Sequence, residues 1–146
     1  MILFSISILA LAALFAMVEI QIEGTQGWAK NLPTWRVEDH WLLHILWGGR
    51  AMTGYHAWIF GFMTLIFHLP LLFFGQWNLS LEGRTLGGFF LFWILEDFLW
   101  FVFNPGFGIK KFTKKNISWH PRWILGAPIE YWIFIPIASF LIYFSY

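Results

Sequence analysis

Four apolar runs constrain this chain more than any other feature. Ile2 to Val18 carries no charged residue, and Tyr55 to Gly75 carries only His56 and His68 as titratable nitrogen groups. Leu86 to Phe103 contains one adjacent acid pair, Glu96 and Asp97, and Gly126 to Tyr146 has Glu130 near its start. A membrane-crossing helix needs roughly 20 mostly apolar residues, and each run approaches that length. The chain is 59% hydrophobic, 23% aromatic and only 12% charged, whereas a soluble domain carries about 25% charged residues. A soluble fold of 146 residues has too little interior for 11 Trp and 18 Phe. The expected fold class is therefore all-α: a polytopic membrane protein, one domain over 1–146, built as a four-transmembrane-helix bundle. The spans are expected at about 2–19, 55–75, 86–104 and 126–146.

The first run offers Ala10-Leu11-Ala12, which resembles a signal-peptide cleavage site, but no basic segment precedes it. A retained helix is expected. Net charge is +1, which excludes a nucleic-acid role resting on bulk positive charge, and cysteine is absent. Disulfides, thiolate catalysis and cysteine-based zinc or iron–sulfur sites are thereby excluded. No phosphate-binding loop, dinucleotide fingerprint or Gly-x-Ser-x-Gly occurs. The two glycosylation-like triplets, Asn78-Leu79-Ser80 and Asn116-Ile117-Ser118, are read as chance.

Basic residues set an expected orientation. Lys30, Arg36 and Arg50 fall between the first and second runs, and Lys110, Lys111, Lys114, Lys115 and Arg122 between the third and fourth. Only Arg84 falls between the second and third. The positive-inside rule then puts both long loops in the cytoplasm and both termini outside. In the first loop, Thr34 is a candidate N-cap and Gly48-Gly49 a candidate stop, which predicts one short interfacial amphipathic helix over about 34–47. Arg36, His40 and His44 would share one stripe of it. In the second loop, lysines alternate with Phe107, Phe112, Trp119 and Trp123, a composition suited to an anionic lipid surface.

The acid pair points most directly to function. Insertion scales charge about 2.5–3.5 kcal/mol for an Asp at the centre of a membrane helix, so such residues face protein or a watery cavity and have partners. One broad helix face can turn both acids inward, alongside Trp93 and Trp100, with Gly87 and Gly88 allowing close approach further out. Glu96 would lie roughly 12 Å below the cytoplasmic end of its helix, and His68 roughly 18 Å beyond His56. His40, His44, His56, His120 and Glu130, with Glu19 and Glu23 at the end of the first run, would gather at that same face.

These residues suggest catalytic roles for Glu96, Asp97 and His56. Burial and mutual repulsion favour the protonated form of one acid, which could donate a proton while a histidine takes the complementary role. Arg50, Tyr55, Trp93, Trp100, His120 and Glu130 would line the substrate-binding pocket. The i, i+4 pair His40 and His44 could ligate a divalent metal, Fe, Mn or Zn. His68, just before Pro70, is expected to bond a backbone carbonyl. The expected function is an enzyme or binding protein for a lipophilic small molecule, partnered by the lipid bilayer and not by nucleic acid. Two other classes fit the same residues. One is an accessory subunit of a membrane-protein complex. The other is a proton or ion carrier relaying through Glu96 and Asp97, which would need a homo-oligomer.

Overall fold

The computed structural model describes residues 1–46 and 49–146. It is mostly helical. Helix α1 is Ile2–Glu23, α2 Trp41–Leu46, α3 Gly54–Phe74, α4 Leu79–Phe103 and α5 Ile129–Tyr143. Two-residue strands pair as hairpins, β1 (Arg36–Val37) with β2 (Met52–Thr53) and β3 (Trp123–Ile124) with β4 (Ala127–Pro128). The all-α expectation holds for the bundle but not for these two connecting hairpins. Helices α1, α3 and α4 are each long and apolar enough to cross a membrane. Helix α5 is also apolar but has only 15 residues.

Helix α4 is the centre of the bundle. It packs extensively on α1 and α5 and less on α3. Gly88 meets Phe4 and Asn104 bonds Gly24, so α1 and α4 run parallel. Helices α3 and α5 run the other way, with Phe67 beside Phe89 and Ala138 beside Gly87. The small residues act as the sequence suggests. A Cβ on Gly87 would sit 2.8 Å from Ile142 Cγ1 and 3.0 Å from the Ala138 carbonyl, and one on Gly88 would sit 2.8 Å from Phe4 Cζ. Ala12 and Ala16 of α1 are wholly buried. Close backbone approach replaces the hydrophobic drive that lipid cannot supply between helices.

The core is internal to these contacts, with Ile8, Ala12, Met63 and Phe92 in one cluster and Ala16, Ile20, Trp100, Phe101 and Ile117 in the other. Leu14 and Met17 of α1, and Trp58, Phe62, Leu72 and Phe73 of α3, point outward. An apolar exterior over a thin interior is what a hydrocarbon solvent selects.

Several boundaries differ from the sequence reading. Helix α4 starts at Leu79 because the Asn78 side chain accepts from the Leu81 N–H at 2.8 Å, a cap that extends the helix past Arg84 and Gly83. Helix α1 continues to Glu23 and stops at Gly24, whose φ is 69°. Helix α5 starts at Ile129, after the β3–β4 turn, in which Leu125 and Gly126 both have positive φ.

The expected helix over 34–47 is corrected to Trp41–Leu46. The Thr34 hydroxyl accepts from the Tyr55 N–H at 3.0 Å, at the start of α3, so it is not free to cap a helix of its own. Arg36 and Val37 are drawn into a strand by Met52 and Thr53. Of the expected stop, Gly48 lies outside the described residues, as does Trp47 at the end of the expected helix.

Candidate functional site

The polar ends of α1, α3, α4 and α5 meet at one end of the bundle. There a cavity of about 490 Å³ lies against α4, between α3 and α5. Its outer wall is apolar, formed by Phe60, Phe89, Phe90, Trp93, Ile94 and Phe134. Its inner wall carries Glu19, Glu23, Arg50, His56, Glu96, Asp97 and Glu130.

Consecutive residues on a helix diverge by about 100°, and this angle divides the acid pair between two clusters. Glu96 turns toward α1, where its carboxyl lies against that of Glu19. Asp97 turns toward α5 and the preceding loop. It accepts from the Tyr131 hydroxyl at 2.5 Å and lies 3.2 Å from His120 Nε2. The sequence reading had one face presenting both acids to one pocket wall. The structure gives them different company.

The Asp97 cluster brings a cation, Arg50, to its carboxyls. Arg50 Nη2 lies 2.9 Å from His120 Nδ1 and 3.3 Å from Glu130 Oε1. A guanidinium only donates, so His120 Nδ1 accepts, and the imidazole proton sits on Nε2, facing Asp97. The chain Arg50–His120–Asp97–Tyr131 thus has a defined donor order. Arg50 also lies over the Trp28 ring, 4.8 Å from its centroid. His120 is 1% exposed and is braced by Trp123, whose Nε1 donates to the His120 carbonyl at 2.8 Å.

The Glu19 cluster is different. Glu19 and Glu23 lie one turn apart on α1, at the end of the buried stripe begun by Ile8, Ala12 and Ala16. His56 stands opposite, in the first turn of α3, with Nε2 3.6 Å from Glu23 Oε1. The ligand-capable atoms of Glu19, Glu23 and His56 lie within 4.8 Å of one another, so these three side chains could hold a metal ion. All three are buried. Among the described residues no lysine or arginine pairs with Glu19, Glu23 or Glu96. Six buried atoms of cavity-lining residues, Trp93 Nε1, Trp100 Nε1, Glu96 Oε1, Arg50 Nε and both Glu130 carboxyl oxygens, have no hydrogen-bond partner among the described residues. Buried polar atoms are nearly always bonded, so these atoms mark places where a guest's polar atoms would fit.

Of the residues singled out from sequence, Glu96, Asp97, His56, Arg50, Trp93, Trp100 and Glu130 line the cavity. Tyr55 and His120 stand behind its wall, bonded to Glu19 (3.2 Å) and Asp97. His40 and His44 are not brought to it. His40 precedes α2, so the pair no longer shares a helix face, and His44 is exposed with Asp39 3.3 Å away. His68 bonds a backbone carbonyl, that of Thr64 at 2.7 Å and not the Ile66 carbonyl that Pro70 leaves free, and also meets Glu82 at 3.1 Å; it does not line the cavity.

Sequence reasoning placed Glu19 and Glu23 at this face without giving them a role. The signal was available: an i, i+4 carboxylate pair at the end of a small-residue stripe. Tyr131 and Thr53 were missed. Nothing in the local pattern distinguishes Tyr131 from the other aromatic residues of its run.

No known protein family, curated protein or solved structure matches this chain.

Proposed function

We propose that the protein is an integral membrane enzyme or binding protein for a lipid-soluble molecule with a polar head. In this reading the chain crosses the membrane four times, with α5 as the fourth span, both basic loops in the cytoplasm and both termini outside. The observation that carries the proposal is the division of the cavity into an aromatic outer wall and an ionisable inner wall, with unpartnered polar atoms on it. A tail would lie among Phe60, Phe89, Trp93 and Phe134. A head would meet the Trp93 and Trp100 indoles and the carboxyls of Glu96 and Asp97. Helices α3 and α5 both pack on α4 and touch each other at most marginally, which leaves a lateral route from the lipid.

The chemistry offered is proton transfer. Asp97, held between His120 Nε2–H and the Tyr131 hydroxyl, is an acceptor with two donors in line. Arg50 keeps the imidazole oriented from behind. Glu96 and His56 belong to the neighbouring cluster and act on the other side of the same head.

The test is native mass spectrometry with lipid extraction on protein purified in mild detergent, comparing wild type with Ile94→Trp, which fills the cavity wall. A stoichiometric amphiphile on the wild type, absent from the filled variant, is the expected result. Equal and non-stoichiometric lipid on both sinks the proposal.

A further inference from the structure

We propose that Glu19, Glu23 and His56, completed by Glu96, form a binding site for a divalent first-row transition ion, Mn²⁺, Fe²⁺ or Zn²⁺, at the polar end of the cavity. It deepens the functional reading above by giving that cavity an ion, and its binding can be measured whether or not an amphiphile is found.

The first argument is geometric. Glu19 and Glu23 project from one face of α1 and His56 from the facing turn of α3, so two rigid helices, not a loop, set the spacing. The 3.6 Å between His56 Nε2 and Glu23 Oε1 matches the edge of a ligand shell built on bonds of about 2.0–2.2 Å. Glu19 closes the triangle within 4.8 Å.

The second argument lies behind the ligands. A metal-ligating histidine almost always has its other nitrogen held by a second group, and ligating carboxylates are themselves hydrogen-bonded. Here Thr53 Oγ1 sits 2.7 Å from His56 Nδ1, leaving Nε2 turned to the carboxylates. The Trp28 ring stacks on the imidazole at 3.8 Å, fixing its plane. The Tyr55 hydroxyl donates to Glu19 Oε1 at 3.2 Å, and the Ala29 N–H donates to Glu23 Oε1. All three ligands are thus held in orientation by groups that contribute no ligand atom themselves.

The third argument is charge. Glu96 is 3% exposed, its Oε1 has no partner among the described residues, and its carboxyl abuts Glu19. Three carboxyls and one imidazole share a buried site. Arg50 is engaged by His120 and Glu130, and Arg36 is held on the carbonyls of Trp28 and Ala29. Buried like charges need a counter-ion or protons. A divalent cation offsets two of the three carboxylate charges and gives Glu96 Oε1 a partner. One imidazole among carboxylates, with no thiolate, selects Mn²⁺, Fe²⁺ or Zn²⁺ over Ca²⁺ or Cu⁺.

The experiment uses the full chain in detergent or nanodiscs, stripped with chelator and titrated with Mn²⁺ and Zn²⁺ by calorimetry, with electron paramagnetic resonance on the Mn²⁺ form. Stoichiometric binding is expected. Glu23→Gln and His56→Gln should each abolish it, and Tyr55→Phe should weaken it about tenfold, the usual effect of losing an orienting partner. Circular dichroism identifies any variant that fails to fold, and for such a variant the Tyr55→Phe result decides. The double variant His40→Gln/His44→Gln should bind as wild type. Folded wild type that binds neither ion overturns the proposal. So does binding that survives His56→Gln, or that disappears with His40 and His44. If the amphiphile is absent but the ion binds, the functional reading fails and the metal site stands; the reverse outcome removes only the metal site.

Discussion

The two clusters at the polar end of the bundle are neighbours, share one cavity and are fed by adjacent residues of α4, yet they are built on opposite principles. Around Asp97 a cation and two donors stand beside the carboxyls: Arg50 faces Glu130, and His120 and Tyr131 serve Asp97. Around Glu96 the carboxyls accumulate, and among the described residues His56 is the one nitrogen base grouped with them. A charge network that holds its own cation stabilises the fold or positions a proton. One that lacks a countercharge is poised for something that arrives from outside.

Breaking the Asp97 cluster should have the largest effect. Arg50→Ala leaves Glu130 and Asp97 without their cation, and stranding a buried charge costs about 3–5 kcal/mol. Thermal unfolding in detergent, followed by circular dichroism, should show a large loss or no folded protein. An unchanged melting temperature would mean that the cluster is solvated and the contrast false.

Tyr131→Phe is a milder cut into the same cluster. It removes one hydrogen bond to a carboxylate, worth about 1.5–3 kcal/mol, with no change in ring packing against Phe112. The same melt measures it.

The acid-rich cluster should respond with the opposite sign. Glu96→Gln removes one of three crowded carboxyls, and metal-free protein should gain about 1 kcal/mol of stability, within the usual range for a single substitution, while losing ion binding. Loss of stability in the metal-free protein would show that Glu96 is a structural acid with a partner of its own.

The smallest effect is expected at the other end of the bundle. Glu82→Gln breaks the pair with His68, both about one-quarter exposed on their side chains, and should cost less than about 1 kcal/mol. An effect as large as that of Arg50→Ala would erase the difference between the two ends.

Much of this was legible in the sequence. The apolar runs, the role of Gly87 and Gly88, and the gathering of Glu96, Asp97, His56, His120, Arg50 and Glu130 all follow from periodicity, residue size and depth along a helix. What could not be read was which partner each group takes. Thr34 looked like the N-cap of its own helix, but its hydroxyl serves the Tyr55 N–H, a contact between segments that no local pattern encodes. His40 and His44 have the right spacing for a ligand pair, but α2 begins only at Trp41. Glu19 and Glu23, at the same spacing, have a facing histidine supplied by α3.

By itself, then, the amino-acid order determined that the chain is mostly helical, that it carries helices apolar enough to cross a membrane, and the end at which most of its ionisable groups collect. Those are consequences of composition and of position along single helices, and both are properties of the chain alone. Only the tertiary structure decided that Glu96 and Asp97 part company, one toward α1 and the other toward α5. The rotation between adjacent helix residues is universal, but what stands on either side depends on how α1 and α5 are docked against α4. That docking is set by close contacts at Gly87, Gly88, Ala12 and Ala16, between residues far apart in the chain.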